Sequence, residues 1–343
     1  MRFLGLLLLG LLCGCATVGC EPGATPGPDD PNAELVCDDA YFGAVEGLIT
    51  GAQESLVAAQ FELFSGQPTD AIVTLLGEAA ARGVAVRVLF DDEIDDNADA
   101  VTRLEALGVT ARLDNLPETT MHAKMLAADG DVAIVGSTNW STSSIERNHE
   151  CNLLLRNGPP AAYAMGWFDA VWENVTFRGV PNVDQSSSPH VRALSNGELL
   201  ERLLDQLSRA GRRVDFTLYG TFLQPWNLDA PAMQLYQALA EAVDRGVTVR
   251  GVAEWSDWQF DNNERNAEAK AWLEERGVQM RWERADRISH AKAFLIDDGL
   301  QVQSANISTS GFEDNQEVGA WTDLQAPVAA FEQWFDALWA EGA

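Results

Sequence analysis

The sequence predicts an α/β protein: two copies of an α/β/α sandwich, each with a mixed, mostly parallel sheet between helices. Three observations carry this expectation. Short apolar runs alternate with amphipathic stretches along the chain. The hexamer Trp167-Phe168-Asp169-Ala170-Val171-Trp172 returns as Trp334-Phe335-Asp336-Ala337-Leu338-Trp339, with one apolar position changed, at an offset of 167. The 343 residues, 46% of them hydrophobic, suit about two domains of ~150 residues.

In the first copy, 55–64 (SLVAAQFELF) reads as a strand, 69–82 as a helix, 84–90 (VAVRVLF) as a strand, 98–107 as a helix and 109–113 as a strand. Residues 121–128 and 131–136 flank Asp129-Gly130 as a hairpin, a strand follows at 150–155, and the Trp hexamer closes a helix over 160–173 with its aromatics on the core side. The second copy repeats the order. Arg82-Gly83-Val84 matches Arg245-Gly246-Val247, and Leu104-Glu105 with Gly108-Val109 matches Leu273-Glu274 with Gly277-Val278. The domains are therefore drawn at 37–180 and 191–343, joined by the Pro/Ser-rich linker 181–190.

Ahead of them, Arg2 and an apolar run from Phe3 to Leu12 read as a signal peptide within 1–20, because the run is too short to span a bilayer of ~30 Å. The expected protein is exported, as a cell-envelope lipoprotein or secreted. Cys15 is the expected lipidation site, Cys20 a poorer match, and the acidic, Pro-rich 21–36 a flexible tether. Export permits disulfides, which makes Cys37 and Cys151 a candidate pair that sequence separation neither supports nor excludes.

Chemistry concentrates in one pattern. Of 23 cationic residues only three are lysines, and two of these, Lys124 and Lys292, lie in His122-Ala-Lys124 and His290-Ala-Lys292. Those two histidines are half of the four in the chain; His149 and His190 have no counterparts and read as surface or loop residues. Each His-x-Lys pair is two apart on a strand, so both side chains leave one face of the sheet. Imidazole beside ammonium begins an anion site. Ser137 and Asn139, with Ser304 and Asn306 in the second copy, add donors for phosphoryl oxygens. Asp129 and Asp297 fall at the far strand ends and read as architectural. A neutral imidazole suits attack on an anionic phosphodiester, and a second, protonated imidazole can serve the leaving alkoxide.

With Gly136-Ser137-Thr138-Asn139 and the trailing Glu150 and Glu317, these motifs resemble the duplicated His-Lys-Asp motifs of the phospholipase D superfamily. The resemblance implies two lobes about a pseudo-twofold axis that bring both histidines to one phosphodiester, in a monomer that is its own pseudo-dimer. It implies a covalent phosphohistidine, with His122 as nucleophile and His290 as general acid/base. Lys124, Lys292, Asn139 and Asn306 would hold the phosphoryl oxygens, and Glu150 and Glu317 would bond histidine Nδ1. It implies no cofactor and no metal; His-x-Lys is not ligand spacing. The second copy departs from the pattern: five residues separate Asp297 from Gln303, which stands where Gly is expected. That change is expected to shift register or add a bulge, displacing Ser304 and Asn306.

A net charge of −29 argues against extended nucleic-acid binding, as no Lys/Arg run flanks either motif beyond Arg284 and Arg287. Eight of eleven Trp lie in the second copy, and Trp226, Trp255 and Trp258 fall in expected loops, where aromatics can enter a membrane interface. The expected activity is hydrolysis or transfer of phospholipid head groups at a membrane surface. An exported endonuclease and a cardiolipin-synthase-like phosphatidyltransferase remain the alternatives.

Overall fold

The computed structural model describes residues 32–116, 119–257, 259–284 and 286–342. The signal peptide, Cys15, Cys20, most of the tether and Trp258 lie outside the described residues.

In the first copy the order is β1 (Asn32–Cys37), α1 (Ala40–Gly51), β2 (Ser55–Gln60), α2 (Gln67–Ala81), β3 (Ala85–Phe90), α3 (Asp95–Glu105) and β4 (Thr110–Leu113). It continues with β5 (Lys124–Ala128), β6 (Val132–Gly136), α4 (Thr142–Glu146), β7 (Cys151–Arg156) and α5 (Pro159–Glu173). The second copy follows the same plan through β8 (Val191–Ser195), α6 (Gly197–Arg209), β9 (Arg213–Leu218), α7 (Pro231–Asp244), β10 (Thr248–Ala253), α8 (Phe260–Glu274) and β11 (Gln279–Trp282). It closes with β12 (Ala293–Ile296), β13 (Gly299–Gln303), a π-helical turn at Ser310–Asp314, β14 (Val318–Thr322) and α9 (Gln325–Glu341).

Both sheets have seven strands in one topological order, β1-β7-β6-β5-β2-β3-β4 and β8-β14-β13-β12-β9-β10-β11. The sheets are mixed, as expected, but less parallel. Only β2-β3-β4 and β9-β10-β11 pair in parallel, while the other neighbours are antiparallel. Parallel pairing requires a crossover helix, and after β4 or β11 the next strands are joined by a tight hairpin instead. Strand β1 also begins inside the segment expected to be a tether, pairing Asn32 through Cys37 with Arg156 through Cys151. Cys37 and Cys151 face each other in that register and are joined by a disulfide, Cα–Cα 4.3 Å.

Alternation along each strand divides the apolar side chains into layers. Leu56, Ala58 and Leu126 pack outward under α1 and α2, whereas Val57, Ala59, Met125 and Ala127 turn inward. The inward layer is shared. It joins Val135 and Leu153 of the first sheet to Leu295, Val302 and Ala320 of the second through Trp167 and Phe168 of α5 and Phe331 and Phe335 of α9. The repeated hexamer is therefore the seam between the copies.

Asp129 and Asp297 do the architectural work expected of them. Each sits at positive φ, 57° and 52°, at a hairpin corner. Asp129 accepts the backbone N–H of Gln53, Glu54 and Ser55 at 2.8–2.9 Å, and Asp297 those of Gly211, Arg212 and Arg213 at 2.9–3.1 Å. The carboxylates thus anchor the entry to β2 and β9.

The shortened second hairpin does not displace its motif. Its turn loses one residue, yet Ser304 N donates to Val318 O at 2.9 Å as Ser137 N does to Cys151 O at 3.1 Å. Gly136 and Gln303 both face the next strand, where small and amide residues trade places: Gly136 opposes Asn152, and Gln303 opposes Gly319. A Cβ on Gly136 would fall 2.5 Å from Asn152 Oδ1, so each pairing has room for one side chain.

Asp129→Ala removes three charge-assisted bonds at a solvent-exposed corner. It is expected to lower stability by about 1–3 kcal/mol and to leave kcat within about threefold, read by thermal unfolding and initial rates.

Candidate active site

The chain leaves the sheet just before each lysine. Strand β5 begins at Lys124 and β12 just after Lys292, so the histidines stand on extended approach segments and not within the strands as expected. His and Lys nevertheless share a side. His122 lies edge-on to Phe61 at 5.1 Å and Lys124 Nζ lies 5.0 Å from the same ring, while His290 and Lys292 meet Tyr219 at 4.2 and 4.4 Å. Each ammonium donates to the carbonyl of its own histidine, at 2.5 and 2.6 Å.

The carboxylates cross between copies. His122 Nδ1–H donates to Glu317 Oε1 at 2.8 Å, and His290 Nδ1–H donates to Glu150 at 2.9 Å (Oε1) and 3.0 Å (Oε2). A carboxylate only accepts, so Nδ1 carries the proton and Nε2 is the basic nitrogen. The backbone crosses too: His122 N donates to Gln316 O at 3.0 Å, and His290 N to His149 O at 2.9 Å. Each acid and the residue before it therefore hold the other copy's histidine.

Ser137 and Ser304 serve these acids and not a phosphate. Ser137 Oγ donates to Glu150 at 2.5 Å and accepts from Cys151 N at 3.0 Å; Ser304 Oγ donates to Glu317 and accepts from Val318 N at 3.0 Å. Both are fully buried, so their hydroxyls are spent. Asn139 and Asn306 each keep a buried Oδ1 with no protein partner among the described residues; that oxygen accepts, so it suits water or a donor, and only the Nδ2 amide hydrogens could meet a phosphoryl oxygen.

Burial dominates the electrostatics. It pushes His122 below 6.5 against the pull of Glu317, and His290 down to about 4 against that of Glu150, with the lysines of both copies adding to the fall. Lys124 is pushed down to about 8 and Lys292 well below its ordinary value, again by burial first. Burial raises Glu317, but His122, Lys124 and Ser304 outweigh it and leave the acid ionised. His122 feels Lys292 and His290 feels Lys124, so the four groups are electrostatically coupled across the two copies.

Sequence reading missed the next layer. Asp91 Oδ2 accepts Met121 N–H at 2.7 Å and Glu254 Oε2 accepts Ser289 N–H at 2.6 Å, each fixing the residue before a catalytic histidine. Their offset, 163, is the one relating Arg82 to Arg245 and was the available sign. Phe61 hid in the segment 55–64 read as a strand, and Tyr219 in its counterpart in the second copy. His149, expected at the surface, is half-buried, with Nδ1 3.2 Å from Asp38 and its ring edge-on to Trp334. His190 is exposed beside Asp323, as expected.

Residues 45–172 and 203–339 match the family described as "Cardiolipin synthase, PLD-like domain". Mitochondrial cardiolipin hydrolase of Mus musculus is 30% identical over 153 residues, 44% of this chain and 67% of that protein. The Homo sapiens protein of that name is 31% identical over 135 residues, but these span only 52% of its length. Among solved structures, phosphatidylserine synthase of Haemophilus influenzae aligns over 89% of this chain and 85% of its own with a TM-score of 0.72 at 12% identity. That likeness concerns the fold.

An anion should bind with a pH dependence set by these groups. Sulfate keeps its charge throughout, so its binding should weaken as pH rises through about 8 and Lys124 deprotonates, and tighten toward pH 4 as His290 gains a proton. Titration calorimetry showing no weakening until near pH 10 would contradict the depressed lysine.

Proposed function

The chain belongs to the phospholipase D superfamily, carrying its domain twice, and on that premise we propose that it hydrolyses the head-group ester of phospholipids. In the first displacement one imidazole Nε2 bonds to phosphorus and the bond to the head-group oxygen breaks. The other imidazole, as imidazolium, gives its proton to the departing alkoxide. In the second, that imidazole takes a proton from water, whose oxygen bonds to phosphorus as the P–N bond breaks. The anionic phosphodiester raises the imidazole pKa on arrival and so favours the protonated partner. Lys124, Lys292 and the two asparagine amides stabilise the charge that develops on the phosphoryl oxygens. An alcohol in place of water turns the same chemistry into head-group transfer.

The observation that carries the lipid reading is an apolar rim. Of seven exposed large apolar side chains among the described residues, five belong to the second copy, Phe222, Trp226, Leu228 and Trp255 in two connections and Phe260 at the start of α8. Of these, Phe260 lines a cleft with Tyr219, Gln259, Asp261 and Asn262, where Gln259 donates to the hydroxyl of the tyrosine beside His290. The β9–α7 connection is also much longer than its β2–α2 counterpart, and the extra length holds Trp226 and Leu228. Exposed apolar area of this kind favours a bilayer interface. Against a nucleic-acid track, Arg284 is paired with Asp286 and Glu341, and Arg287 donates to Arg147 O. Relatives named cardiolipin hydrolase and phospholipase D agree with a phospholipid substrate.

Phosphatidic acid release from phospholipid vesicles should exceed nicking of plasmid DNA at equal enzyme; the reverse ranking contradicts the proposal. His122→Ala and His290→Ala should each lower kcat by at least about 10³. Labelled phospholipid should leave a covalent adduct on His122 when His290 is replaced, and none when His122 is.

A further inference from the structure

The two halves of the cleft share one backbone plan but differ in charge at one position. Leu63 bridges Trp140 as Thr221 bridges Ile307, and Phe64 N and Phe222 N donate to the carbonyls of those partners at 3.0 Å each. This register equates Phe61 with Tyr219, Asn139 with Asn306, and Glu62 with Gly220. On the second side glycine leaves space: a Cβ at Gly220 would lie 3.4 Å from Asn306 Oδ1. On the first, the half-buried Glu62 takes the matching position beside Asn139, and its carboxyl lies within electrostatic reach of Lys124. Burial holds it above the ordinary carboxylate range even beside that lysine.

A carboxylate next to the lysine and amide that would hold a phosphodiester opposes an anionic ligand. Like charges held close in a partly buried cleft repel more strongly than they would in water. The conflict disappears when the ligand brings its own donor to the acid. The other acids bonded at the centre are already engaged, Glu150 by His290 and Ser137, Glu317 by His122 and Ser304.

We infer that Glu62 is a specificity residue, selecting phosphodiesters whose alcohol carries a hydrogen-bond donor, an ammonium or a hydroxyl, within a few bonds of phosphorus. The inference rests on the phospholipid reading above. Ethanolamine and glycerol head groups supply such a donor, and the quaternary ammonium of choline does not. A Glu62 that served only as counterion to Lys124 would affect every substrate in the same proportion.

The test measures kcat/KM on mixed detergent micelles of phosphatidylethanolamine, phosphatidylglycerol or phosphatidylcholine for the wild type, Glu62→Gln and Glu62→Ala. The wild type should prefer the two donor-bearing lipids to the choline lipid by at least about tenfold. Glu62→Ala should bring both ratios within about threefold, and Glu62→Gln should keep the glycerol preference while losing most of the ethanolamine preference. Each ratio is internal to one protein, so partial misfolding cancels. A wild-type ratio near one, or a ratio that survives in Glu62→Ala, overturns the inference and leaves phospholipid hydrolysis standing. Absence of turnover on all three lipids, with turnover of bis(p-nitrophenyl) phosphate, overturns both.

Discussion

The structure depends on two buried carboxylate–imidazole pairs that run between the copies and not within them. Glu317 bonds His122 and Glu150 bonds His290, each acid fully buried and each ring nearly so. Losing either imidazole leaves a buried carboxylate without its donor at a cost of about 1–3 kcal/mol or more, so the crossing ties assembly of the site to docking of the lobes. Much else follows from it. The serines anchor the acids, Gln316 and His149 hold the opposite histidine backbones, and the aromatics of α5 and α9 fill the seam that keeps the two sheets in place.

On this symmetric frame the sequence has written differences where chemistry permits. The hairpin turn loses a residue without moving the motif, because Gly136 and Gly319 make room on opposite strands. Glu62 in the first copy stands where the second has Gly220. The β9–α7 loop carries exposed aromatics that the first copy lacks. Symmetry fixes the reacting centre, and asymmetry supplies the means to tell one end of a substrate from the other.

Much of this was legible in the chain. Offsets of 163 to 168 carried the duplication, and the scarcity of lysine isolated Lys124 and Lys292. Short continuous apolar runs located the strands, because both faces of each sheet are packed. Less legible were β1 and α1: the strand follows Pro-rich sequence, and the helix contains three glycines that blur its stripe. The crossing of the glutamates could not be read at all, since spacing along one chain does not say which lobe a side chain will meet. Ser137 and Ser304 share the parity of the asparagines, which pointed to phosphate, but buried hydroxyls take the nearest strong acceptor and that is the carboxylate.

The most direct measurement is imidazole 15N NMR of the full chain, comparing wild type with Glu150→Gln. The account predicts that the tautomer and titration of His290 change while those of His122 persist. Perturbation of His122 with His290 unaffected would mean that each acid serves its own copy, and would contradict the interlocked site.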